Sequence, residues 1–254
     1  MDTDARLTER DPAPDPVEGL GRRSRFARFR AVVTQLRYRP VTLFALCLAF
    51  LFLLSNFVVQ PFLIPSTSME NTLRVGDRVL VNKLAYRFGA TPQRGDVIVF
   101  DGMGSFVHRE SGENPVTGLL RKAGAALGLA RSDDTDYVKR VIGVGGDHVT
   151  CCDKQGRIKV NGVPVTEGYL HPGDAPSAVP FDIVVPKGRL WVMGDHRSRS
   201  SDSRDHLGEA GGGTVPVDRV IGRADLISWP FDRWSTLATP GDLARIPVSA
   251  GPHG

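Results

Sequence analysis

Cysteine is almost absent from this chain, three residues in 254. Cys47 stands alone in an apolar run, and Cys151 and Cys152 are adjacent, a spacing that fits neither a zinc site nor a disulfide framework. Two buried thiols are the expectation at 151–152, and a vicinal disulfide is the less favoured alternative. Lysine is nearly as scarce, six residues against 26 arginines. Several catalytic signatures are missing as well: there is no G-x-S-x-G elbow, no H-E-x-x-H and no P-loop. The six histidines are scattered and form no ligand pattern, so neither metal nor cofactor is expected. The GVGG run at 143–146 reads as a tight turn and not as a dinucleotide loop.

Charge is present but unevenly placed. Residues 21–40 carry seven arginines and no acid, whereas no charged residue occurs from Val41 to Met69. An apolar run behind a basic one reads as a transmembrane helix of roughly 20 residues, here 40–60. A cleaved secretory signal has the same order, but this run begins late and lacks a small-x-small exit. The positive-inside rule then places residues 1–39 in the cytoplasm of a bacterial cell and everything from about Pro61 outside the plasma membrane. No second apolar stretch of spanning length follows.

Beyond the anchor the pattern changes to short β-branched runs punctuated by turn residues. Arg78–Leu84, Asp96–Phe100, Tyr137–Val144, His148–Cys151, Arg157–Val160 and Arg189–Met193 are expected strands. The DKQG run at 153–156 and the NG pair at 161–162 predict two consecutive hairpin turns. The fold class is therefore mainly β, an antiparallel-sheet catalytic domain over 61–237 behind one N-terminal transmembrane helix. Within it, 101–136 reads as an insertion of helical composition. Residues 1–39 form a disordered, basic tail, and 238–254 a flexible Pro/Gly-rich one.

The stretch IPSTSMENTL at 64–73 places two hydroxyls, Ser66 and Ser68, on one face of an extended chain just past the apolar segment. A serine nucleophile needs a base, and a lysine serves only when neutral. Burial must then lower its pKa by about 2–3 units, at a cost of roughly 3–4 kcal/mol. Of the six lysines, only Lys83 and Lys139 lie in strand-like apolar runs. Alternation puts Lys139 on the side of Tyr137 and Val141, away from Arg140. An ordinary strand lysine and a Ser/Thr-rich turn remain open readings at this level.

Four ordered blocks narrow them: PSTSMENTL at 65–73, GDRVLVNK at 76–83, YVKRVIG at 137–143 followed by Gly146 and Asp147, and GDHRSRSSDSR at 194–204. In these blocks the sequence resembles the bacterial type I signal peptidases, membrane-bound Ser–Lys serine endopeptidases that remove signal peptides from exported preproteins after small residues. The resemblance implies Ser68 as nucleophile and Lys139 as general base. Ser66 becomes an oxyanion donor, Ser200 holds the Lys139 amine, and Asp202 with Arg204 forms a supporting ion pair. It also implies substrate contacts at Phe62, Ile64, Pro65, Met69, Leu73, Val99, Tyr137 and Val138. Two positions depart from the pattern: His196 stands where many members have Asn, and Gly145 where many have Pro.

The partners so implied are signal-peptide-bearing preproteins and the lipid bilayer, and no nucleic acid. The nucleophile then lies within ~30 Å of the bilayer, since about eight extended residues separate it from the helix end. The WPFDRW segment at 229–234 has the aromatic composition of an interfacial belt, though a packed strand end fits equally. Competing readings are a non-catalytic signal-sequence binder, a self-cleaving DNA-binding repressor and a structural membrane protein.

Overall fold

The computed structural model describes residues 40–54, 57–106, 135–209 and 211–247. By internal contacts the chain divides into Met1–Leu51 and Phe52–Gly254. The basic tail, most of the 101–136 insertion and residues 248–254 lie outside the described residues.

Residues 40–54 are α-helical (α1), with Leu43, Phe44, Leu46 and Phe50 all more than 60% exposed. The helix stops short of the expected 40–60. Among the described residues no helix is long and apolar enough to cross a membrane. The reason at its C-terminal side is local: Val59 begins a strand, and Pro61 lacks the N–H that a continuing helix needs.

The strands follow in order: β1 (Val59–Leu63), β2 (Arg78–Asn82), β3 (Val97–Asp101), β4 (Asp136–Val144), β5 (His148–Cys151), β6 (Lys159–Val160), β7 (Val163–Pro164), β8 (Phe181–Val184), β9 (Arg189–Met193), β10 (Val215–Pro216), β11 (Val220–Trp229) and β12 (Ser235–Thr236). All pairings are antiparallel. The larger sheet runs β1-β2-β11-β3-β4-β9-β10 with β12 on β11, and the smaller runs β7-β6-β5-β8. The expected mainly-β fold is thus what the chain adopts. Prolines mark three of the edges: Pro61 in β1, Pro164 in β7 and Pro216 in β10 each end a ladder where a missing donor costs least.

Side-chain alternation sorts the core. On β9, Leu190 and Val192 join Ile98, Phe100 and Val141 in one cluster, while Trp191 and Met193 join Ile142 and the small-sheet residues Val149, Val160 and Phe181. A third cluster, of Phe62, Ile64, Met69, Leu73, Val79, Val97 and Val99, covers the other end of the large sheet. The β6–β7 hairpin turns on Asn161 and Gly162, both at positive φ (52° and 79°), as an Asn-Gly two-residue loop requires.

Two expectations are corrected here. Cys151 and Cys152 are joined in a disulfide, not held as two thiols; only Cys151 is buried, so the pair is not sealed in the core as that reading assumed. The tail from Ala238 is not loose over its described part. Gly241–Ala244 forms a short helix (α2), and Leu243 and Ile246 are buried against Trp191 and its neighbours. Arg94 Nη1 also donates to the Ile246 carbonyl at 2.7 Å, which fixes this segment to the body of the domain.

Candidate active site

The segment after β1 is a turn that two buried side chains hold in place. Met69 and Leu73 are 1% and 0% exposed, and the Leu73 N–H donates to the Met69 carbonyl at 2.8 Å. This geometry leaves Ser66 and Ser68 on the cavity side, with their Oγ atoms 3.3 Å apart. The cavity has a volume of about 200 Å³ and is lined by Phe62, Leu63, Ile64, Pro65, Ser66, Ser68, Met69, Asp136, Tyr137, Val138 and Lys139. Larger cavities of about 260 and 540 Å³ have no serine in their walls.

Lys139 comes from β4, which pairs with β3 so that Lys139 stands opposite Ile98 and Val138 opposite Val99. Tyr137 and Val141 pack in the cluster of Ile98 and Phe100, whereas Val138 packs with Val97 and Val99, as alternation predicts. Lys139 is 3% exposed, and desolvation lowers its pKa to about 8. The Arg204 charge acts in the same direction, and Asp202, Asp195 and Asp205 oppose it. Lys83, the other candidate, donates to Gln60 Oε1 at 3.1 Å and is not part of the cavity wall. None of the described histidines lines that cavity either.

The 194–204 segment closes the site from behind. A Cβ on Gly194 would stand 2.5 Å from the Ser200 Cβ and from the Ser68 carbonyl oxygen, so glycine is what permits the approach. Ser200 Oγ is buried without a regular hydrogen bond, though it lies near enough to Asp202 to favour that carboxylate's charged form. Burial works to raise the Asp202 pKa, but the hydrogen bonds and charge of Arg204 prevail and leave it lowered. Arg204 Nε and Nη2 donate to the two Asp202 oxygens at 2.8 and 2.9 Å, and the Gly194 N–H donates to Oδ2 at 3.0 Å.

Of the residues named from sequence, Phe62, Ile64, Pro65, Ser66, Ser68, Met69, Tyr137, Val138 and Lys139 meet in one cavity. Leu73 and Val99 do not reach its wall. Both are fully buried in the cluster behind it, where they support Phe62, Ile64 and Met69. Sequence reasoning missed Leu63 and Asp136 in the lining.

It also missed a clamp behind the Ser68 turn. Arg140 donates to Asp195 through Nε (2.8 Å) and Nη2 (2.6 Å), and Thr72 Oγ1 donates to Asp195 Oδ2 at 2.5 Å. The His196 N–H donates to the Ser68 carbonyl at 3.1 Å. Arg140 and Asp195 were legible as letters of the blocks, but their partnership spans 55 residues and left no local signal.

Comparison with known proteins identifies the family. Residues 36–229 match the family described as signal peptidase, peptidase S26. Signal peptidase I of Mycobacterium tuberculosis (strain H37Rv) is 44% identical over 208 residues, covering 73% of this chain and 70% of its own. The probable signal peptidase I of Mycobacterium leprae is 41% identical over 219 residues, 74% of each chain. Signal peptidase IB of Staphylococcus aureus (strain N315) is 32% identical over 212 residues, 77% of this chain and 91% of its own. With the family pattern spanning the serine turn, the lysine strand and the 194–204 segment alike, the chain belongs to the signal peptidase family, peptidase S26, and is an enzyme of that kind.

Proposed function

We propose that the chain cuts N-terminal signal peptides from exported preproteins after small residues, through an acyl-enzyme formed on Ser68 with Lys139 as base. The observation that carries this reading is a serine hydroxyl and a buried lysine, its pKa lowered to about 8, in one apolar-walled cavity. A neutral Lys139 amine takes the Ser68 Oγ proton as that oxygen attacks the scissile carbonyl. Ser66 Oγ and the Ser68 N–H stabilise the oxyanion. Collapse breaks the peptide bond and passes the proton from Lys139 to the leaving amine. Lys139 then takes a proton from water, which attacks the ester and releases the signal peptide with Ser68 reprotonated. Ser200 restrains the lysine amine, and the Asp202–Arg204 pair holds the 194–204 segment in place. The substrate's small side chain sits against Ile64, Pro65, Tyr137 and Val138.

In this reading helix α1 and its flanks anchor the enzyme in the bacterial plasma membrane, with residues 1–39 cytoplasmic and the β domain outside. The uninterrupted exposure of Leu43, Phe44, Leu46 and Phe50 supports it, because such a face is stable only in contact with apolar surroundings. Trp229, Phe231 and Trp234, exposed at 48%, 66% and 61%, suit the polar–apolar boundary of a bilayer.

Cleavage of one secreted precursor by protein purified free of host peptidase tests the proposal. Ser68→Ala is expected to abolish turnover, and Ser66→Ala to reduce it roughly 10²–10³-fold. Turnover retained by Ser68→Ala rejects this nucleophile.

A further inference from the structure

Beside the Ser68 turn, but outside the cavity wall, three side chains with metal-ligating atoms converge. One ligand atom each from Glu70, His171 and His196 lies within 4.8 Å of the other two. The two imidazoles stack with centroids 3.9 Å apart and planes 5° from parallel. His196 is 6% exposed, and its Nδ1 is buried without a hydrogen bond. The nearest carboxylate oxygen, Glu70 Oε2, stands 3.5 Å from that nitrogen, beyond regular hydrogen-bond length. A buried ring nitrogen left so is costly unless something completes it.

The backbone fixes all three donors. The His171 N–H donates to the Asp195 carbonyl at 3.0 Å, and the His196 N–H donates to the Ser68 carbonyl at 3.1 Å. Glu70 follows Ser68 by two residues in the same turn. The donors therefore come from three separate segments that the main chain already holds together.

We infer that Glu70, His171 and His196 form a binding site for a divalent transition-metal ion of the zinc class, next to the Ser68 turn. Two imidazoles and one carboxylate are a donor set that suits zinc, and three protein ligands leave a fourth position for water. Tetrahedral zinc at ~2.0–2.1 Å from nitrogen places its ligand atoms about 3.3 Å apart, and because an imidazole coordinates through a lone pair in its ring plane, binding turns the two stacked rings out of parallel as it draws the cluster inward. The ion is not part of the proposed peptide-bond chemistry. It ties the nucleophile turn to the 166–174 and 194–200 segments, and because it binds only the folded arrangement it raises the thermal midpoint.

The test uses the full chain in detergent after EDTA treatment. It is expected to retain one equivalent of Zn²⁺ after dialysis, to melt higher with the ion, and to give with Co²⁺ the visible absorption of a four-coordinate site. Glu70→Gln and His196→Asn are each expected to weaken binding roughly 100-fold or more, beyond the 10- to 100-fold cost of losing an outer partner. His148→Asn, at an exposed histidine paired with Asp182, is the control and leaves binding unchanged. Failure to retain Zn²⁺ at about 100 µM free ion, where any site of micromolar Kd is filled, overturns the inference. Stoichiometric binding unaffected by Glu70→Gln and His196→Asn also overturns it. Should a variant fail to fold, the Co²⁺ adduct of the unaltered chain decides: imidazole protons from two histidines must be paramagnetically shifted, and their absence rejects the site.

Discussion

Holding Lys139 charged in the folded protein costs about 3 kcal/mol, the drop from 10.5 to about 8 at ~1.36 kcal/mol per unit. Desolvation is the leading cause, and in the proposed mechanism it leaves the amine neutral for Ser68 above about pH 8. The acidic limb of kcat/KM is therefore expected to titrate at about 8. Lys139→Arg cannot deprotonate and should be as inactive as Lys139→Ala, while Lys83→Ala keeps the limb in place. A limb near 6.5 that vanishes on replacing a histidine would assign the base elsewhere. The stability consequence has a definite sign. The unfolded chain keeps this proton up to 10.5 and the folded one only to about 8, so between these values unfolding takes up protons and stability rises with pH. Lys139→Met should accordingly stabilise the fold by up to about 3 kcal/mol at pH 7, with the gain vanishing above pH 10.5; chemical denaturation at several pH values measures both. Gly194→Ala acts through space rather than charge. Its methyl group would enter contact with Ser200 and the Ser68 carbonyl, so turnover should fall while the pH limb stays put.

Elements are also tied together away from the cavity by buried ion pairs. Asp147, in the turn between β4 and β5, receives the Arg94 guanidinium, the Val144 N–H and the Asn161 amide, and it is 1% exposed. Asp147→Ala strands Arg94, itself 7% exposed, and is expected to cost 3–5 kcal/mol in denaturant melts, as breaking a buried pair does. Gly145 in the same turn has a matching constraint. A Cβ there would stand 3.0–3.1 Å from backbone atoms of 186–188, which accounts for the small residue in this chain. The cavity wall formed by the β1 end and β4 limits what enters. A precursor with Phe just before the scissile bond should be cut roughly 5- to 150-fold less efficiently than one with Ala, the equivalent of a 1–3 kcal/mol overpacking cost. Equal rates for Ala and Phe precursors would show that these residues do not form the specificity pocket.

On the scale of the whole molecule the separation of charge is the controlling feature. In the proposed membrane-anchored reading, the seven arginines of residues 21–40 and the lack of any charge within Val41–Met69 favour one orientation, with the N-terminus cytoplasmic. Protease added to intact spheroplasts is expected to digest the domain after Pro61 and to spare the N-terminal tail. Protection of the large domain would reverse the assignment.

Sequence alone determined the mainly-β class and the boundaries of several strands, including His148–Cys151 and Arg189–Met193, because alternation and turn residues are local signals. It also singled out Ser66, Ser68 and Lys139, partly by elimination among six lysines and partly by resemblance over ordered blocks. What it missed depends on long-range contact. Residues 59 and 60 read as the end of an apolar helix, yet they open a strand that pairs with β2 once Arg78–Asn82 is brought alongside. The 238–247 segment has the composition of a loose tail, but Leu243 and Ile246 find a core made by residues some fifty to a hundred positions earlier. Likewise the Arg140–Asp195–Thr72 clamp and the Glu70–His171–His196 cluster exist only after folding, because periodicity reports which face a side chain takes and never which distant partner it meets.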